Sequence, residues 1–318
     1  MIEIKNIRFP RNKLIKLFVA ALVSSLSLWV LIRLVLSSKD QLSDLHVHVT
    51  AMSIFITFFL FFSSVLLTGF VWGLILNTLE SKRRISIYSH LVIYIATSFV
   101  GRLPGGIWNV VGRVAWYEQL GIRKRITTFA SGIQWIMIIW SGTIFLILLL
   151  PLALPSDLSK TMALIGIALF ITLIMNPKTI KFLLKQFLKD DDVIHIHYKD
   201  ILIWLTIYLI IWLLGGTIFF IVASSVTSGT FFGVKEWLFS LITWAAGTVS
   251  GTIVTFLPSG LGLTELVTSL VLTLQMPSSV SVAVALIMRI LLTIFDFILS
   301  LIFFFIAKIS HFENRKLI

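Results

Sequence analysis

The sequence predicts an all-α, polytopic membrane protein, and three observations carry that prediction. Of its 318 residues, 58% are hydrophobic and only 13% are charged, against roughly 25% charged in soluble domains. Several apolar runs exceed the ~18 residues that read as a spanning helix. The lysines and arginines collect in short loops between those runs, where they act as topology signals and contacts to anionic lipid. The net charge of +12 therefore does not argue for nucleic acid. The chain contains no cysteine, which removes disulfides, thiol nucleophiles and cysteine-based metal sites. Residues 1–318 read as one integral membrane domain.

The elements follow in order. A basic N-terminus (Lys5, Arg8, Arg11, Lys13, Lys16) leads into a first span at about 14–36. No small-residue cleavage site follows, so it reads as a retained signal anchor. The second span, about 51–76, carries Gly69-x-x-x-Gly73, a spacing that lets helices approach closely. After Lys82-Arg83-Arg84 comes an apolar segment, 87–117, broken at Arg102-Leu103-Pro104-Gly105-Gly106. Arg123-Lys124-Arg125 precedes a third span at about 126–150, and a fourth at about 161–176 stops at Asn176-Pro177. In 178–189, Lys178, Lys181, Lys185 and Lys189 share one helical face and Ile180, Leu183, Leu184 and Phe187 another. That is the pattern of an amphipathic helix lying in the interface. The fifth span is about 201–223. Segment 237–275 is broken at Leu257-Pro258-Ser259-Gly260-Leu261-Gly262, and the last span is about 280–307.

Nineteen of the 26 lysines and arginines lie at the N-terminus, 82–84, 123–125, 178–199 and the tail. The positive-inside rule puts all of these in the cytoplasm, with both termini there and the chain in the cytoplasmic membrane. Segment 87–117 must then enter and return, and ~30 residues cannot make two helices of ~20. It reads as a re-entrant hairpin. Segment 237–275 does the same from the other side. The expectation is about six transmembrane helices plus two re-entrant hairpins, in inverted halves of roughly 14–150 and 160–307. Corresponding broken segments in inverted halves point to a transporter's central site.

Lipid tolerates no exposed irregular backbone, so such breaks are buried in protein or face a wet cavity. An arginine at that depth costs ~2.5–3.5 kcal/mol even on the mildest scale, which makes it a functional candidate. The first break supplies Arg102, Gly105, Gly106, Trp108, Asn109 and Arg113; Trp108, Gly112 and Arg113 lie close to one helical face. Arg102 and Arg113 either fork onto a lipid phosphate, with glycine N–H groups beside them, or snorkel to the cytoplasmic interface, or pair with Glu118. The second break supplies Gly260, Gly262 and Glu265, faced by Arg289 and Asp296 on the last span. Glu265 either pairs with Arg289 or caps its own hairpin. Asp296 is a relay carboxylate, an Arg289 partner or an interface residue.

Other readings fail. His46-x-His48 and His195-x-His197 have no third ligand, so no metal site is expected. Gly260-x-Gly262 has no third glycine and no preceding strand, and no Walker-type loop exists. No cofactor is expected. Trp29, Trp72, Trp204 and Trp237 read as interface anchors.

At Leu103-Pro104-Gly105-Gly106 and Leu257-Pro258-Ser259-Gly260-Leu261-Gly262-Leu263-Thr264-Glu265, followed by Arg289, the chain resembles a known family. It is similar to the transmembrane domain of lysylphosphatidylglycerol synthases and their stand-alone, flippase-like relatives, over roughly 10–307. The resemblance implies a protein that moves aminoacylated phospholipids or polyprenyl-linked sugars across the cytoplasmic membrane, not an enzyme. The chain departs from the synthases in carrying no aminoacyl-transferase domain. It also has Gln134 where the family's first half often has an arginine. The implied ligand is an anionic or polyprenyl-phosphate lipid, with a glycosyltransferase or lipid synthase as partner. Two alternatives stay open: an integral-membrane transferase acting on polyprenyl-phosphate sugars through Asp40 or Asp44, and a non-transporting subunit of a glycan-assembly machine.

Overall fold

The computed structural model describes residues 50–80, 84–102, 107–153, 196–227, 229–253 and 262–315. Among them the chain is helical, with no strand. The expected first and fourth spans, the amphipathic helix at 178–189, the turn at 103–106 and the break at 254–261 lie outside these residues.

Helix α1 (Ala51–Leu79) starts where Thr50 and Ser53 cap each other reciprocally, each side-chain oxygen accepting from the other's backbone N–H at 3.1–3.2 Å. Asn77 near its end clamps the next segment, donating to the Ile85 carbonyl at 3.0 Å and accepting from its N–H at 3.1 Å. Helix α2 (Ile87–Ala96) is capped by Ser86 and ends where the Thr97 hydroxyl bonds back to the Ile93 carbonyl. A 3-10 turn, Phe99–Arg102, follows. Helix α3 (Trp108–Gln119) closes through Gly121, whose φ of +80° suits a glycine. Then come α4 (Lys124–Ala153), α5 (Tyr198–Val226), α6 (Val234–Ile253), α7 (Leu263–Leu272) and α8 (Ser278–Arg315).

Four of these are long and apolar enough to cross a membrane: Ala51–Leu79, Lys124–Pro151, Tyr198–Val226 and Ser278–Ile309. They coincide with the expected second, third, fifth and last spans. At 1.5 Å per residue, α2 and α3 reach only about 15–18 Å, short of a ~30 Å hydrocarbon core. The second broken segment is less even than expected. Its first arm, α6, runs 20 residues while α7 runs 10. Polar ends (Lys235, Glu236) and Gly247, Thr248 and Gly251 make α6 less apolar than a span, although it is as long as one.

The packing has an internal correspondence. α1 packs on α5. α2 packs on α8, and its counterpart α6 packs on α4. α3 lies on α4 as α7 lies on α8, and α1 contacts α2 and α4 as α5 contacts α6 and α8. Exchanging the quartet α1–α4 with α5–α8 reproduces each principal helix contact. Small residues permit the closest approaches on both sides. A Cβ added at Gly73 of α1 would lie 2.8 Å from the His90 ring of α2, and one at Gly216 of α5 would lie 2.7 Å from the Leu241 Cα of α6. The Gly69/Gly73 spacing thus does what the sequence implied.

Candidate functional site

Helix α3 buries two of its residues deeply, Arg113 and Tyr117, four apart on one face. That face meets α1, α2 and α4. The Arg113 guanidinium is 3% exposed. Its Nη1 donates to Gln134 Oε1 of α4 at 2.6 Å, and Gln134 Nε2 donates to the Tyr94 hydroxyl of α2 at 2.9 Å. The guanidinium carbon stands 4.2 Å from the Tyr94 ring centre and 4.7 Å from that of Trp72 on α1. Desolvated cation–π contacts of this kind contribute about 2 kcal/mol each. Below them, Trp72 Nε1 donates to the Tyr117 hydroxyl at 2.9 Å, and the same hydroxyl lies 2.7 Å from His90 Nδ1.

Among the described residues, what surrounds Arg113 is neutral. No carboxylate among the described residues forms an ion pair with it, and its Nε has no hydrogen-bond partner. Glu118, the expected alternative partner, pairs instead with Lys124 at 2.9 Å. A buried ion without a countercharge is costly, so this guanidinium retains a strong demand for an anion.

The second half is arranged differently. Gly262 adopts φ +88° and its N–H donates to Glu265 Oε2 at 2.6 Å, so the carboxylate does cap the start of α7. Its other oxygen lies 3.2 Å from Arg289 Nη1 on α8. Both roles weighed for Glu265 are met at once, and Arg289 is neutralised. Two turns along α8, Asp296 is 7% exposed and accepts from the Ser98 hydroxyl at 2.6 Å. Ser300 reinforces the junction, lying 2.8 Å from Ser98 Oγ and accepting from the Phe99 N–H at 3.1 Å. The Asp296 side of α8 is thus fixed to the entry of the first break, and it is not an exposed interface residue.

No family model and no curated protein matches the chain.

The remaining expected site residues divide. Arg102 ends the 3-10 turn. Asn109 packs over Gly101, where an added Cβ would lie 3.1 Å from its Cγ. Trp108 does not share the Arg113 face: it is about half exposed, while Arg113 is buried. Gly105, Gly106 and Gly260 lie outside the described residues. The tryptophan reading is also corrected. Trp72 and Trp204 are fully buried in the core and not at an interface, because Trp72 finds its hydrogen-bond partner inside the bundle. Sequence reasoning missed the surround of Arg113: Trp72, Tyr94, Tyr117 and His90. Gln134 stood out in the sequence only as the place where the family's arginine is missing.

Proposed function

We propose that the chain is a flippase-like carrier that lets a phosphate-bearing lipid headgroup cross the cytoplasmic membrane. The lipid is an aminoacyl-phospholipid or a polyprenyl-linked sugar. One observation carries the reading: a buried arginine at the first break with no carboxylate beside it among the described residues, against a second-half arginine that has one. In this reading α2–α3 and α6–α7 are re-entrant arms of two inverted halves. The exchangeable helix contacts and the short α2, α3 and α7 support that arrangement. The headgroup phosphate meets Arg113, Arg102 and the glycine backbone of the first break, while its tail stays in lipid. Glu265 keeps Arg289 silent until the phosphate arrives, when the guanidinium exchanges one anion for the other. The sequence carries no nucleotide-binding loop, so transport runs downhill or on an ion gradient. The resemblance to lysylphosphatidylglycerol-synthase membrane domains agrees with this reading, as does a lipid-synthase or glycosyltransferase partner.

The test is headgroup translocation in liposomes reconstituted with the full chain. Headgroup-labelled phosphatidylglycerol and a polyprenyl-phosphate sugar serve as two probes. Arg113→Ala combined with Arg289→Ala should slow translocation roughly tenfold or more, the loss of at least one charge-assisted contact. Arg113→Lys keeps the charge without the fork and should fall between. Unchanged rates in the double variant would sink the assignment.

A further inference from the structure

The face of α3 opposite Arg113 borders an open groove against α4 of about 670 Å³. Its walls are Ile107, Val111 and Val114 on one side and Thr128, Gly132 and Trp135 on the other. The groove runs along twelve residues of each wall, from Ile107 to Glu118 and from Trp135 to Lys124. That is roughly 16 Å at 1.5 Å per residue, matching one leaflet's half of a ~30 Å hydrocarbon core. Gly132 forms part of its floor, and a Cβ built there meets nothing within 4 Å.

The groove is not apolar at both ends. Glu118 and Lys124 close one of them as an ion pair of 2.9 Å. Lys124 is flanked by Arg123 and Arg125, both exposed. Lys124 and Arg125 against the one carboxylate leave that end positive, next to a hydrocarbon-lined channel one leaflet deep. The other end is Ile107 and Trp135.

We infer that this groove is a binding site for one acyl chain of an anionic phospholipid, whose headgroup lies on Lys124 and Arg125. It is a second lipid site. It shares α3 with Arg113 but not the same face, so it does not depend on the carrier reading. A lipid held there wedges α3 against α4 and fixes the helix that carries Arg113.

A photoreactive residue in place of Gly132 tests it, because the side chain has space to enter without displacing a neighbour. The full chain is reconstituted in phosphatidylcholine vesicles containing a minority of phosphatidylglycerol, irradiated, and its adducts read by mass spectrometry. The expected result is phosphatidylglycerol adducts enriched roughly fivefold over that lipid's share of the bilayer, from one net cation near an anionic headgroup. Lys124→Gln with Arg125→Gln should abolish the enrichment, and Glu118→Gln should raise it. Arg289→Ala, on α8, which forms neither wall, should leave it unchanged, which separates this site from the proposed transport site. Adducts in proportion to bulk lipid, or adducts to peptides of this same chain, would overturn the inference.

Discussion

Arg113 is a buried cation whose described surroundings supply no countercharge. Its hydrogen-bond partner is the neutral Gln134, and its remaining neighbours are aromatic faces. Arg289 has the same chemistry and the opposite circumstance, because Glu265 lies 3.2 Å away. Two predictions belong to this scale. Trp72→Phe removes the hydrogen bond to Tyr117 but keeps most of the ring. It should cost about 0.5–1.5 kcal/mol, read as a lower melting temperature in detergent, with little change in lipid selectivity. Glu265→Gln should weaken the Arg289 pair while its amide oxygen still caps Gly262. With that countercharge removed, Arg289 should bind anionic lipid more tightly, measured as retention of phosphatidylglycerol through purification. Of these residues, the Glu265–Arg289 pair was one of two alternatives legible in the sequence, as opposite charges within apolar segments. The sequence did not disclose the Arg113 surround, because Trp72, Tyr94 and Gln134 come from three separate helices and no spacing joins them.

At the scale of elements, the spans were legible because burial in lipid demands long uninterrupted apolar runs. The expected 51–76 and the observed Ala51–Leu79 differ mainly at the end, where Asn77 and Leu79 extend the helix past the apolar run. The arms of the broken segments were less legible. Their lengths depend on where backbone bonds stop, and α6 continues through glycine and threonine that hydropathy discounts. Close helix approach makes a graded prediction. Gly216→Ala would drive a Cβ to 2.7 Å from the Leu241 Cα, a backbone atom that cannot rotate away. Overpacking of this kind costs about 1–3 kcal/mol. Gly132→Ala meets nothing and exchanges a poor helix former for the best one, a gain of up to about 1 kcal/mol. Thermal unfolding of the two variants should move in opposite directions.

For the whole molecule, the exchangeable contacts of α1–α4 and α5–α8 tie the two breaks together. The Ser98–Asp296–Ser300 junction joins the end of α2 to α8. The sequence implied two related halves from the matching Leu-Pro-Gly-Gly and Leu-Pro-Ser-Gly breaks. It could not say which helix of one half meets which of the other, since that follows from side-chain shape at the interface and not from period or charge. The absence of cysteine makes this contact directly measurable. The Ser98 and Ser300 hydroxyl oxygens are 2.8 Å apart, so Ser98→Cys with Ser300→Cys should cross-link under mild oxidation, within ordinary disulfide reach. On the carrier reading proposed above, the cross-link should stop translocation and reduction should restart it.

The central claim is that Arg113 is a buried positive charge waiting for a lipid anion. Gln134→Glu tests it most directly. The substitution is nearly isosteric and puts a carboxylate oxygen where Oε1 now sits, 2.6 Å from Arg113 Nη1. The internal countercharge should leave the melting temperature unchanged or higher, while translocation of the anionic headgroup in reconstituted liposomes falls roughly tenfold, or about 1.4 kcal/mol. Full translocation by a stable Gln134→Glu protein would contradict the account.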